Sequence, residues 1–140
     1  MALKRPRVAI IFDSENKPAH KALHIAEITK CAKKHGDFVF KMAFGFASKE
    51  ARQAYRQHKI IDCGRKRQIR QSTDERICNF AKENCASFDV LVIVSNDNDF
   101  APLLASFRTM GKRAIVYGTK NVGQMLWRSS NECYTLTQGA

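Results

Sequence analysis

The stretch Asp89-Val-Leu-Val-Ile-Val94-Ser-Asn-Asp-Asn-Asp-Phe100 decides the fold of this chain. Its first half is an unbroken aliphatic, largely β-branched run, the pattern of a strand buried on both faces. Its second half puts Asp97 and Asp99 just past the strand end. In open parallel α/β sheets, ligand sites lie at the carboxyl ends of strands. An earlier run, Val8-Ala-Ile-Ile-Phe12, also ends in acids, within Asp13-Ser-Glu-Asn16. Two apolar strands that both finish in carboxylates are costly unless positive charge sits between them.

Around these two runs, strand and helix patterns alternate. Pro18 to His35 carries Ala22, Leu23, Ile25, Ala26, Ile28, Thr29 and Ala32 at helical spacing, with Gly36 as a stop. Phe38 to Phe46 reads as a second strand, with Phe38, Phe40, Phe44 and Phe46 alternating into the core. Ser48 caps a short helix to about His58, and Lys59-Ile-Ile-Asp-Cys63 is a third strand. Ser72-Thr-Asp-Glu75 has capping-box spacing and opens a helix through about Asn84. After strand Val90–Val94 come a helix from Asp99 to Met110, strand Arg113–Tyr117, a helix over Asn121–Arg128 and a candidate edge strand, Cys133–Leu136. Such alternation predicts an α/β fold. The expected form is a three-layer α/β/α sandwich with a mostly parallel central sheet of about five strands.

At 140 residues, with no repeat or linker, residues 1–140 are expected to form one domain. Lys and Arg number 24 against 13 Asp and Glu, and the net charge of +11 favours a polyanionic partner. No apolar stretch approaches the ~20 residues that span a bilayer. The start, Met1-Ala-Leu-Lys-Arg-Pro-Arg7, offers no signal-peptide core. Cys31, Cys63, Cys78, Cys85 and Cys133 are odd in number, lack Cys-x-x-Cys spacing and sit beside apolar residues. They read as buried free thiols in a reduced, cytoplasmic protein.

Right-handed crossovers can bring Asp13, Asp74, Asp97 and Asp99 to one pocket. Clustered carboxylates repel one another, and a hard cation with oxygen ligands removes that penalty, so Mg²⁺ or Mn²⁺ is the expected cofactor. Each acid alone also has a local reading. Asp74 fits the first turn of a helix, Asp99 an N-cap and Asp13 an Asx-turn. Capping does not explain why both strand ends carry acids. Glu15 and Glu75 are weaker members of the set. Asn16 could orient a carboxylate, while Ser95 and Asn96 could support the acids or bond a phosphate.

The loop Gly64-Arg-Lys-Arg-Gln-Ile-Arg70 supplies Arg65, Lys66, Arg67 and Arg70 close to Asp74, a group suited to a phosphate backbone. Arg5, Arg7, Lys112, Arg113 and Lys120 are candidates to extend that surface. Trp127 and Tyr55 could each stack on a base or be partly buried. His20 and His24 stand at i, i+4 without an accompanying acid motif, which favours solvent-facing rings over ligands. No Ser/His/Asp or Cys/His arrangement suggests covalent catalysis.

Phe12-Asp-Ser-Glu-Asn16, Thr73-Asp-Glu-Arg-Ile77, Val94-Ser-Asn-Asp-Asn-Asp-Phe100 and Gly111-Lys-Arg-Ala-Ile-Val-Tyr-Gly118 together resemble the NYN domain (LabA-like or Regnase-type) of the PIN-like nuclease superfamily. The resemblance covers essentially the whole chain. It implies metal-dependent endoribonuclease activity, with RNA as partner. By position, Asp13, Asp74, Asp97 and Asp99 resemble the family's metal-binding acids, Asn16 its motif amide and Ser95 its small polar residue. Ser95-Asn96-Asp97 departs from the Ser-Gly-Asp of many relatives, and Asp74-Glu75 resembles the tandem acids of the Regnase-type branch. Alternatives are a non-catalytic RNA-binding module of the same fold, a HAD-like phosphatase and a Toprim domain. The last two leave Asp74 without a role. Monomer and homodimer both remain open.

Overall fold

In a computed structural model, residues 4–14, 22–45, 49–63 and 73–135 are described. The strands are β1 (Arg7–Asp13), β2 (Asp37–Gly45), β3 (Lys59–Asp62), β4 (Val90–Val94), β5 (Arg113–Gly118) and β6 (Glu132–Thr135). The helices are α1 (Ala22–Ala32), α2 (Lys49–Ala54), α3 (Thr73–Glu83), α4 (Ala101–Thr109) and α5 (Gln124–Ser129). All six strands form one sheet in the order β3-β2-β1-β4-β5-β6, and every neighbouring pair is parallel. The sheet is therefore one strand wider than five, because the edge segment pairs along β5, from Ile115↔Glu132 to Gly118↔Thr135.

Strand order reverses direction between β1 and β4. From β1 the chain steps outward through β2 to β3, and from β4 it steps the other way to β6. A crevice therefore opens where the carboxyl ends of β1 and β4 meet, the topological switch point at which ligands bind in such sheets.

Alternation of side chains divides the core between the two faces of the sheet. Ala9, Ile11, Leu91, Ile93, Ala114 and Val116 pack with Ile77 and Ala81 of α3, Leu103, Leu104 and Phe107 of α4, and Leu126 of α5. Val8, Ile10, Phe12, Val90, Val92, Ile115 and Tyr117 pack with Ile25, Ile28 and Ala32 of α1, with α2 beside them. The result is the expected three-layer arrangement. The four phenylalanines of the second strand do not alternate as expected. A register shift between Val8 and Ala9 leaves Val39 as an extra residue in β2. Phe38 consequently joins the α1 face, while Phe40 and Phe44 join the α3 face. Phe46 lies outside the described residues.

Helix boundaries follow local chemistry. A 3-10 turn, Lys33–His35, closes α1, and Gly36 then takes φ +148° where a Cβ would lie 2.1 Å from the Pro6 carbonyl oxygen. The helix expected from Asp99 begins instead at Ala101, behind a 3-10 turn over Asn98–Phe100. Pro102 fits its first turn, and Gly111 (φ +79°) follows its end. No described helix is long and apolar enough to cross a membrane.

The amino-terminal edge of the sheet is laced by ion pairs. Arg5 meets Asp37 at 2.9 Å, Arg7 makes a bidentate pair with Asp89, and Arg113 bonds Glu132. Hydrogen bonds from Arg7 hold the Asp89 carboxyl down at about 2. Arg5, Arg7 and Arg113 therefore do not extend a surface beside the acids, since they serve the opposite edge of the sheet. The cysteines are all free, but only Cys63 is buried, and Cys31 is exposed on α1 rather than buried as expected.

Candidate metal centre

Three carboxylates converge at the carboxyl edge. Asp74, Asp97 and Asp99 each place one oxygen within 4.8 Å of the others. Asp74 comes from the first turn of α3, a helix that packs against β1 and β2 with Thr73, Ile77 and Ala81 turned inward. That packing carries Asp74 back across the sheet to the end of β4. Asp97 and Asp99 flank the 3-10 turn after β4. The Asp99 amide donates to Asp97 Oδ1 at 2.9 Å, so Asp97 rather than Asp99 caps this turn.

Asp13 stands at the end of β1, buried and outside that group of three. It is joined to them by Ser95, which is fully buried. The Ser95 hydroxyl donates to Asp13 Oδ2 at 3.1 Å and accepts the Asp97 amide at 3.1 Å. One hydroxyl thus links both acid-bearing strand ends. The charge on Asp13 also reaches Tyr55, whose phenol is raised first by burial and then by Asp13. Tyr55 is itself buried, which removes it as a base-stacking platform.

Mutual repulsion is visible in Asp99, whose carboxyl is pushed above its ordinary value. The Asp97 charge contributes most, then burial, then Asp74, which also shares a hydrogen bond with it. The Cys78 thiol, one turn along α3 from Asp74, is held protonated by burial and by the charges of Asp74, Asp99 and Glu75, against Lys82. This donor set is all oxygen and all anionic. It fits a hard divalent cation such as Mg²⁺ or Mn²⁺. Glu75 is exposed and outside the group of three.

Asn96 serves the fold at this edge. Its Nδ2 donates to Thr119 Oγ1 at 2.9 Å, its Oδ1 accepts the Thr119 amide at 2.8 Å, and its carbonyl accepts the Gly123 amide. It therefore fastens the β4 loop to the β5 loop. Asn98 plays a part that sequence reasoning missed. Its Oδ1 accepts the Leu126 amide at 3.1 Å and so caps α5 from another loop. Nothing local in the sequence announces a cap donated from 28 positions away. Asn16, Arg65, Lys66, Arg67 and Arg70 lie outside the described residues, as do Glu15 and His20.

The NYN domain family model matches residues 7–137 of this chain. No curated protein matches it. Among solved structures, the chain is similar to a Vibrio parahaemolyticus protein of unknown function, at 18% identity and a TM-score of 0.79. That alignment covers 99% of this chain and 97% of the other, so the fold is shared over the full length.

Proposed function

Because this chain belongs to the NYN domain family, we propose that it is a ribonuclease dependent on Mg²⁺ or Mn²⁺, cutting RNA phosphodiester bonds internally. Family membership brings a nuclease-like fold. The observation that carries the finer reading is the meeting of Asp74, Asp97 and Asp99 within 4.8 Å at the switch point of the sheet. Side chains that serve only as helix caps have no reason to converge there. These three residues would hold the ion, with Asp13 behind them as the fourth acid.

When bound, such an ion would activate water and neutralise charge building on the phosphodiester. The chain's own residues prepare that chemistry. Asp97 is fixed through its Oδ1 by the Asp99 amide. Ser95 holds Asp13 and the Asp97 backbone in one register. The raised Asp99 carboxyl reports the excess negative charge that a cation offsets. A net charge of +11 draws the RNA in, and the basic loop Arg65, Lys66, Arg67 and Arg70 is assigned to its backbone. Free thiols throughout suit a reducing, cytoplasmic setting. Residues 1–140 are taken as one catalytic domain.

The test is Asp97→Asn, because asparagine caps a turn as well as aspartate does and should spare the fold. Cleavage of a labelled RNA should disappear in the variant, and in the parent with EDTA, while RNA binding persists. Full cleavage under either condition overturns the proposal. Salt-sensitive RNA binding by the parent, with no cleavage under any divalent cation, would instead identify a non-catalytic RNA-binding module.

A further inference from the structure

A second concave surface lies between α4 and α5, at the far end of α5 from the acids. It is an open depression of about 660 Å³ that brings together Arg108, Lys112, Arg113 and Arg128. Arg113 is committed to Glu132. Lys112 gives one of its three ammonium donors to the Phe88 carbonyl at 2.8 Å. Arg108 and Arg128 are exposed, and among the described residues neither is paired with a carboxylate. The groove is therefore a net cationic hollow. Next to Arg128, the indole of Trp127 is 57% exposed. A single exposed aromatic is ordinary on a surface; what singles this one out is its place on the short helix whose Arg128 lines the cationic hollow.

Helix α5 connects this hollow to the acids. Its first turn is held at the acid loop by Asn96 and Asn98, and its exit is fixed where Asn131 donates to Ala114 at the start of β5. The β4–β5 register, Val90↔Arg113 to Val94↔Tyr117, sets the separation. At the usual rise per strand residue those four steps span roughly 13 Å, a few nucleotides of extended chain.

We propose that α5 carries the single-stranded flank of the RNA away from the acids, with Trp127 stacking an unpaired base and Arg108 and Arg128 gripping the phosphates beyond it. The identity of the polyanion rests on the ribonuclease reading above. A stacking platform distinguishes single strands, since bases in a duplex keep their faces covered. An acidic peptide would satisfy the arginines without requiring the indole.

The experiment uses the full chain with Asp97→Asn to prevent cleavage, and fluorescein-labelled oligouridines of four and twelve nucleotides, with a twelve-pair RNA duplex as control. The twelve-mer should bind more tightly than the four-mer. Trp127→Ala should weaken twelve-mer binding about tenfold and leave the duplex nearly unaffected. Arg108→Gln with Arg128→Gln should make the log–log salt dependence shallower by about 1.4. Melting temperatures confirm that each variant is folded. Twelve-mer affinities within twofold of the parent overturn the proposal, as does an equal loss on the duplex. Cleavage by the intact chain with Mn²⁺ is scored separately. Cleavage retained with unmoved affinities overturns this path alone, whereas no RNA binding by the parent overturns both readings.

Discussion

Ser95 Oγ donates to Asp13 Oδ2 at 3.1 Å across the seam between β1 and β4, and it is the only hydroxyl described there that also receives the Asp97 amide. Ser95→Ala should remove both bonds and leave a buried carboxylate without that donor. The expected loss is about 1–3 kcal/mol of stability, read as a lower melting temperature. Cleavage should fall about tenfold or more, because Asp13 and the Asp97 backbone lose their common tether.

Asp99→Asn separates function from stability. The Asp97 and Asp74 charges push the Asp99 carboxyl upward, so neutralising it relieves repulsion. In EDTA the variant should melt at a higher temperature than the parent. With Mn²⁺ the order should reverse, because a ligand bound only by the folded state stabilises it. A variant that melts lower in EDTA would contradict this account.

Gly123→Ala should damage the acid loop from a distance. A Cβ at Gly123 would lie 1.9 Å from Asn98 Oδ1, which caps α5 by accepting the Leu126 amide. Asn98 can swing away only by giving up that cap, at about 1–2 kcal/mol. Denaturant unfolding should show this loss, and Mn²⁺ titration should show weaker binding because Asn98 lies between Asp97 and Asp99.

His58 makes stability depend on pH. Its ring packs edge-on against Phe12 and meets Thr29 Oγ1 at 3.3 Å, while its buried Nδ1 has no hydrogen-bond partner among the described residues. Burial, with help from the Lys41 charge, lowers it from 6.5 to about 4. Between those values the unfolded chain binds the extra proton. The contribution is therefore complete above pH 6.5 and is lost as the pH falls through about 4. Allowing for the part of the ring that meets solvent, this amounts to ~1–2 kcal/mol. His58→Gln should flatten the decline in melting temperature between pH 7 and pH 4 relative to the parent.

Much of this architecture is legible in the chain because the central strands are long apolar runs with unambiguous ends. Val90–Val94 forms β4 with the bounds its composition implies, and the acids after β1 and β4 mark the switch point. The helix around Thr73 was legible for a similar reason, since its apolar positions repeat at four and its first turn is acidic. What the chain hides is the partner of each polar group. Ser95, Asn96 and Asn98 look alike as turn residues, yet one tethers acids, one fastens two loops and one caps a distant helix. Those roles depend on which strands become neighbours, a tertiary outcome with no local signature. The bulge at Val39 is hidden likewise, because alternation alone cannot reveal an inserted residue. The arginines of the amino-terminal edge mislead for the converse reason: their charge is evident, but the carboxylates that claim it are far off in sequence.

The seam between β1 and β4 joins segments that leave the ribosome far apart, the register pairing Val8 with Val90 and Phe12 with Val94. Closing so wide a loop carries an entropic cost that the contacts of the finished sheet must offset. Until the seam zips, Asp13 lacks its link through Ser95 to the Asp97 backbone, and α3, which packs on β1 and β2, has no finished sheet on which to carry Asp74 to the end of β4. The carboxylates are thus gathered by tertiary structure and not by any one segment of the chain.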